Sequence, residues 1–316
     1  MGPGYKALRE AVGYLDLSSR GKIVLTGDDR VRLLHAMTTN HIQQLRPGEG
    51  CYAFFLTAQG RILADANVLV LPDRILLDVE PEVREKLYKH LDKFIIADDV
   101  TLRDSSDELS ALCFEGPQAA EALASMKAPI PEAPYSHLDW NGWIVARVSS
   151  TGAPGFRIFG PTEAFATVVP VDEESARIVR LEHAKPRYGE DIFDTTLPQE
   201  TQQSHALHFS KGCYIGQEIV ERIRSRGHIN RMLVGLRIDA TEAPAAGTKL
   251  SGVDSADAGE ITSAAFSPAL GKVVALGYVR AQYGAPGTEL KADGASAVTV
   301  PVAGSREAAP APTAGC

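Results

Sequence analysis

Residues 51–71 read CYAFFLTAQGRILADANVLVL. Two runs rich in apolar and aromatic residues, 51–56 and 61–71, flank the turn signal Ala58-Gln59-Gly60, so the segment reads as an antiparallel hairpin. Residues 74–79 form a third strand. Pro81 stands where a first helical position tolerates it, ahead of a helix over 82–94. Outward from this hairpin, strands at 22–26, 110–114, 143–148 and 155–159 alternate unevenly with helical spacing at 6–12, 28–37 and 117–126. Asp172 can cap a further helix that runs to about residue 183, before Pro186. Hairpins rather than regular crossovers join the strands, which predicts an α+β fold over a doubly wound sheet. Past Arg231 the strands become short and closely spaced (232–238, 249–251, 260–266, 272–279, 297–302), the pattern of a small sandwich or barrel. Residues 304–316, GSREAAPAPTAGC, are Ala/Pro-rich and predict a disordered tail.

Composition narrows the function classes. The chain has 316 residues, 44% hydrophobic and 23% charged, which suits a soluble globular protein of two or three domains. A net charge of −8 and a pI near 5.5 argue against a broad nucleic-acid footprint, leaving only the local basic run at 221–231. Cys51, Cys113, Cys213 and Cys316 form no C-x-x-C pair, so neither a zinc finger nor a disulfide framework is expected. The histidines show no metal-ligand spacing, and no metal is expected. No apolar run approaches a membrane span and the first residues carry no apolar leader, so the expectation is a cytoplasmic protein with no membrane partner.

One string carries candidate chemistry. Residues 211–218 read Lys-Gly-Cys-Tyr-Ile-Gly-Gln-Glu. Helical spacing follows over 217–226 through Ile219, Val220 and Ile223, with Gly227 as a stop. Cys213 would then lie near a helix N-terminus, with Lys211, Arg222, Arg224 and Arg226 close in sequence, a setting that favours a thiolate. The alternative is a small buried hydrophobe, the commoner state of a lone cysteine.

The string resembles the signature of the YgfZ-type folate-binding proteins, relatives of the glycine-cleavage aminomethyltransferase that act in iron–sulfur cluster biogenesis and repair. Four further segments resemble that superfamily in the same order: 23–29 (IVLTGDD) with Thr38-Thr39-Asn40, 60–65 (GRILAD), 152–156 (GAPGF), and Leu181-Glu182 with Pro186 and Gly189. The resemblance implies two ferredoxin-like halves around a central folate cavity within residues 1–230, and a C-terminal β-barrel over 231–303. It implies tetrahydrofolate or a one-carbon derivative as cofactor. Asp65 would lie near the folate nitrogens that carry the one-carbon unit, and Glu182 on the pterin edge. Asp78 and Tyr214 join the implied folate-facing set, with Lys211, Arg226 or Arg231 facing the glutamate tail. Cys213 and Asp65 are the implied catalytic groups.

Two departures separate the chain from a glycine-cleavage enzyme. Ala64 stands where those enzymes commonly carry a second aspartate, and the turn at 149–156 lacks their tyrosine. Three functions follow in order. The first is a tetrahydrofolate-binding accessory protein in iron–sulfur cluster assembly or repair that uses the Cys213 thiol, with assembly or client proteins as partners. One cysteine cannot hold a cluster in four-thiolate fashion, so such a role needs a second protein or external ligands. The second is a folate-dependent aminomethyl- or methyltransferase with Asp65 catalytic. The third is a non-catalytic folate-binding interaction module. Whether the chain is an enzyme stays open at this point.

Overall fold

The structure, a computed structural model, describes residues 2–160, 168–227 and 229–305. Helix α1 (Pro3–Glu10) carries proline in its first turn, where no N–H is needed, and leads into strand β1 (Gly13–Asp16). The first half of the core then runs β2 (Gly21–Thr26), α2 (Arg30–Met37), β3 (Gly50–Leu56), β4 (Ile62–Val70), β5 (Ile75–Val79), α3 (Arg84–Asp92) and β6 (Thr101–Asp104). Its sheet has the order β3-β4-β5-β2-β6, a ferredoxin-like arrangement of β6-β2-β5-β4 with β3 added at the edge. The predicted hairpin is β3 and β4, paired with Phe54 opposite Asp65 and Tyr52 opposite Asn67. Gly60 closes it at φ +73°, and a Cβ there would sit 2.7 Å from Ile219, so both backbone and space require glycine. Leu33, Leu34 and Met37 of α2 and Leu87 and Leu91 of α3 cover one face of this sheet, over Ile23, Ala64, Ala66 and Leu77.

The second half contains β7 (Ala111–Glu115), α4 (Ala119–Ser125), β8 (His137–Trp140), β9 (Trp143–Ala146), β10 (Gly155–Phe159), β11 (Val169–Pro170) and α5 (Glu173–Glu182). Its sheet has the order β11-β1-β7-β10-β9-β8. The strand beside β7 is β1, drawn from the start of the chain and paired antiparallel. Local spacing could not reveal that long-range pairing. Asp172 caps α5 as expected, its Oδ1 accepting from the Ser175 amide at 2.8 Å.

Helix α6 (Gln217–Arg226) leads to the barrel strands β12 (Arg231–Ile238), β13 (Lys249–Ser251), β14 (Gly259–Ser267), β15 (Lys272–Arg280), β16 (Glu289–Ala292) and β17 (Ala295–Val300). They close in the order β12-β15-β14-β13-β16-β17. The sequence reading missed β16, whose Glu-Leu-Lys-Ala carries only two inward apolar residues. The barrel docks on the end of α5 through Leu181, and on Ala184 just beyond it, with Leu233, Val274 and Leu276. The fold is therefore α+β with a closed six-stranded C-terminal barrel. Among the described residues no helix is long and apolar enough to cross a membrane.

Gly304 and Ser305, which the sequence places in a disordered tail, are held instead. Gln203 Nε2 donates to the Ala303 carbonyl at 2.7 Å and Ser204 Oγ to the Gly304 carbonyl at 3.1 Å. Residues 306–316 of the expected tail lie outside the described residues.

The two core sheets face each other, and their strands change character along their length. At one end Leu69, Leu71 and Leu76 pack on Ala111, Ile144, Ala146 and Phe159. Two residues further along the same faces stand Asn67, Asp78 and Arg157. Asp78 is fully buried and accepts from Arg20 Nε at 2.7 Å, from Asn67 Nδ2 at 2.8 Å, and from Arg157 of the opposite sheet. Burial alone would raise the Asp78 pKa, but Arg157 and Arg20 outweigh it and hold the carboxyl below its usual range. This ion cluster spans the two sheets where the apolar contact ends. Replacing Asp78 with alanine would strand the buried Arg157 charge and should cost about 3–5 kcal/mol of stability, measurable by urea unfolding. A loss below about 1 kcal/mol, the size expected of a surface pair, would show that the cluster does not join the sheets.

Candidate functional site

Where the ion cluster separates the sheets, a cavity of about 570 Å³ opens between them. Its walls come from β3, β4 and β5 on one side, the 150–152 turn and β10 on the other, and α5 with residues 185–187 across the mouth. Asp65 projects from β4, 7% exposed, opposite Phe54 in the hairpin. The Tyr52 hydroxyl donates to Asp65 Oδ2 at 2.6 Å. Asp65 Oδ1 is buried and has no hydrogen-bond partner. A buried acceptor left unmet costs free energy unless a ligand or water meets it, so its position in a cavity marks a place where a donor belongs. Burial, aided by the nearby Glu80 charge, pushes the Asp65 carboxyl up to about 6, while the Tyr52 hydrogen bond pulls the other way.

Beside Asp65 the cavity wall is aromatic. The His205 ring stacks on Tyr52 with centroids 5.4 Å apart and planes 26° apart, and on Tyr135 at 6.3 Å and 20°. Tyr135 Oη lies 3.3 Å from His205 Nε2. Such a wall suits a flat heteroaromatic ring. The cavity's cations are mostly spent on its acids. Arg20 binds Asp78 and Glu80, Arg177 binds Glu190, Arg180 binds Glu190 and Asp191, and Arg187 binds Glu80 and Glu82. Lys185 differs, because its ammonium donates to the Ser149 carbonyl and makes no ion pair among the described residues. Burial lowers its pKa, partly offset by Glu115. Glu115, fully buried, accepts from Thr151 N at 3.0 Å and Ser149 Oγ at 3.2 Å, and so shapes the turn that lines the cavity. Gly152 in that turn has φ +92°, and a Cβ would meet His183 at 2.7 Å.

The structure brings together only part of the implied set. Asp65 and Asp78 share the cavity, but the Asp78 carboxylate is saturated by its ion cluster and offers no edge to a ligand. Glu182 is a correction. It does not line the cavity, and its carboxylate accepts from Tyr5 Oη at 2.5 Å, Ser267 Oγ at 2.6 Å and Arg9 at 3.0 Å, tying α1 and the barrel to α5. Lys211 is a second. Its ammonium donates to the carbonyls of His35 and Thr38, at 2.6 Å in the latter case, and so caps the C-terminal end of α2 rather than facing the cavity. Tyr214 is a third, packed in the core of the first half with Lys211 Nζ 4.6 Å over its ring. The Arg226 side chain and His228 lie outside the described residues.

Cys213 is exposed, whereas Cys51 is partly buried and Cys113 buried. It does not line the cavity, and it does not open the helix, because α6 starts at Gln217 with Gly216 as N-cap. Burial pushes the Cys51 thiol up to about 12 and raises that of Cys113 well above the ordinary range, so among the described cysteines alkylation should reach Cys213 first. The sequence reading missed Tyr52, Tyr135, Arg157, Lys185 and His205. Tyr52 was recoverable, since hairpin pairing places it diagonal to Asp65 on the same face. Arg157, a cation inside the apolar strand Gly-Phe-Arg-Ile-Phe, was a readable signal of a buried charge.

Comparison with known proteins agrees with this architecture. Residues 4–211 match the GCVT N-terminal domain family, and residues 231–307 the glycine cleavage T-protein C-terminal barrel domain. The chain is 28% identical over 299 residues to an aminomethyltransferase of Chloroherpeton thalassium, covering 88% of this chain and 82% of that protein. It is 29% identical over 319 residues to an aminomethyltransferase of Rippkaea orientalis, covering 92% and 84%. The crystal structure of glycine cleavage system aminomethyltransferase T from Bartonella henselae superposes with a TM-score of 0.85 at 23% identity, over 95% of this chain and 88% of that one, a likeness of fold.

The raised Asp65 pKa sets a sign for stability. A carboxyl protonated more readily in the folded than in the unfolded chain loses stability as pH rises between about 4 and 6. Asp65→Asn removes that loss, so the ligand-free variant should be more stable than wild type at pH 7.5, by roughly 1–3 kcal/mol, with the gain vanishing near pH 4. Thermal melts across pH check this, and a variant less stable at pH 7.5 would mean the carboxylate is well solvated or paired.

Proposed function

The chain belongs to the glycine cleavage T-protein family, and from that premise we propose that its central cavity binds tetrahydrofolate or a one-carbon derivative, with Asp65 as the group that meets the reactive end. Members of this family use tetrahydrofolate as substrate or cofactor. The observation that carries the proposal is Asp65 Oδ1, a buried carboxylate oxygen without a donor beside a stacked aromatic wall. The residues fit the ligand's chemistry. The wall of Tyr52, His205 and Tyr135 suits a flat ring, Asp65 accepts an N–H, and Lys185, bonded to the Ser149 carbonyl but without a carboxylate partner among the described residues, can meet an anionic tail.

When bound, tetrahydrofolate supplies the nitrogens that carry a one-carbon unit. Tyr52 orients the Asp65 carboxyl by holding Oδ2, which leaves Oδ1 to accept or return a proton. With its pKa near 6, Asp65 changes protonation state within reach of neutral pH, the range a general acid–base group needs. The relatives named aminomethyltransferase favour a folate-dependent one-carbon transferase as the activity.

A second reading draws on a specific observation, the exposed thiol of Cys213 inside the 211–218 string. In it the same folate-binding chain serves as an accessory protein in iron–sulfur cluster assembly or repair. Cys213 lies outside the cavity, where a partner protein can reach it, and the free cysteines suit the cytoplasm. The two readings part in a deletion strain scored for iron–sulfur enzyme activities. If Cys213→Ser fails to rescue, the accessory reading holds, whether or not Asp65→Asn rescues; if Cys213→Ser rescues and Asp65→Asn fails, the one-carbon reading is selected.

Binding itself is tested by calorimetry with tetrahydrofolate. Asp65→Asn should weaken affinity by roughly 1.5–3 kcal/mol, the worth of a hydrogen bond to a charged group, and Lys185→Met should weaken a polyglutamylated folate more than a folate without the tail. Equal affinity of wild type and Asp65→Asn would remove Asp65 from the site.

A further inference from the structure

A second cavity, of about 420 Å³, lies between the end of α6, residues 198–209 and the rim of the barrel. Leu207, Phe209, Ile223, Ile229, Met232 and Val300 make its wall largely apolar. Three features of that wall go beyond packing. Gln199 Nε2 donates to the Val220 carbonyl at 2.9 Å, which fixes the amide, yet Gln199 Oε1 is buried with no partner. Ser305 Oγ, on the same wall, is also buried with no partner. Arg224 is the one charged side chain among the described residues that line the cavity. Its guanidinium lies 4.5 Å over the Phe209 ring, and its one ion pair among the described residues, to Glu221, is exposed and 3.5 Å long, too weak to engage it fully.

Unmet buried polar atoms in an apolar cavity at a domain junction are the usual makings of a small-molecule site. We propose that this second cavity binds a small amphipathic anion: an apolar, ring-containing body, one N–H or O–H donor, and a single anionic group. The body fills the space over Phe209 and Ile223. The donor meets Gln199 Oε1, and Ser305 supplies a hydroxyl that can donate or accept. The anion meets Arg224, with no carboxylate among the described lining residues to oppose it. The site is separate from the central cavity. The two share Gln203, and the wall between them is Gln203 and Ser204 held to Ala303 and Gly304, so a ligand in one touches the wall of the other without entering it.

Anilinonaphthalene sulfonate carries all three required groups and reports apolar burial by its fluorescence. Titrated into the full chain, it should give a saturable signal with one site per chain. Arg224→Ala, a change at an exposed side chain, should weaken it roughly tenfold. Ile223→Trp should fill the space and abolish the saturable signal. Saturating tetrahydrofolate should not displace the probe, and Asp65→Asn should not weaken it, which separates this site from the folate reading. The proposal is overturned if Arg224→Ala binds the probe as wild type does, if tetrahydrofolate displaces it, or if the full chain shows no saturable binding. Binding that emerges only after removal of residues 306–316 would also overturn it, by assigning the cavity to the chain's own C-terminal segment.

Discussion

The carboxylate of Asp78, held between Arg20 of its own half and Arg157 of the other, is the interaction on which the rest of the molecule depends. Two facing sheets that met through leucine and phenylalanine alone would close completely. Here Leu69, Leu76 and Phe159 make the dry contact, and two residues along the same strand faces the ion cluster takes over. Charges need partners and space for polar neighbours, so the sheets stay joined but part beyond it, and the cavity begins there. Glu115 plays a similar part on the second half, fixing the 149–152 turn that forms the opposite wall.

Asp65 stands out against this background of satisfied charges. Asp78, Glu80, Glu190 and Asp191 each have cationic partners, and Glu182 is enclosed by hydroxyls and Arg9. Asp65 has one tyrosine and an orphaned oxygen, and its pKa rises in consequence to about 6. A buried carboxyl with an unmet oxygen facing a cavity is typical of a site arranged for a ligand rather than for stability. The thiol of Cys213 lies apart from this cavity, so any joint action of folate and thiol has to run through the protein or a partner rather than by contact.

Much of this was legible in the sequence because it is local. The β3–β4 hairpin, the Asp172 cap and the change to short strands after Arg231 each follow from spacing within a dozen residues. The match to the family's hairpin strand singled out Asp65, and the structure places that residue in the cavity wall. What failed was long-range. Glu182 looked like a pterin ligand, but Tyr5 and Ser267, 177 and 85 residues away, claim it. Lys211 looked like a cation for the thiol or the folate tail, but the open carbonyls at the end of α2 take it. The placement of β1 in the second sheet, and of His205 against Tyr52, likewise rests on contacts between distant parts of the chain that no local pattern encodes.

The central claim is that Asp65 is the unmet acceptor of a folate cavity, and the most direct measurement is the carbon-13 NMR titration of its side-chain carboxyl with and without tetrahydrofolate. The account predicts a midpoint near 6 in the free protein and a clear displacement of that midpoint when the ligand is added. A midpoint near the ordinary aspartate value of about 3.9, unmoved by saturating tetrahydrofolate, would contradict it.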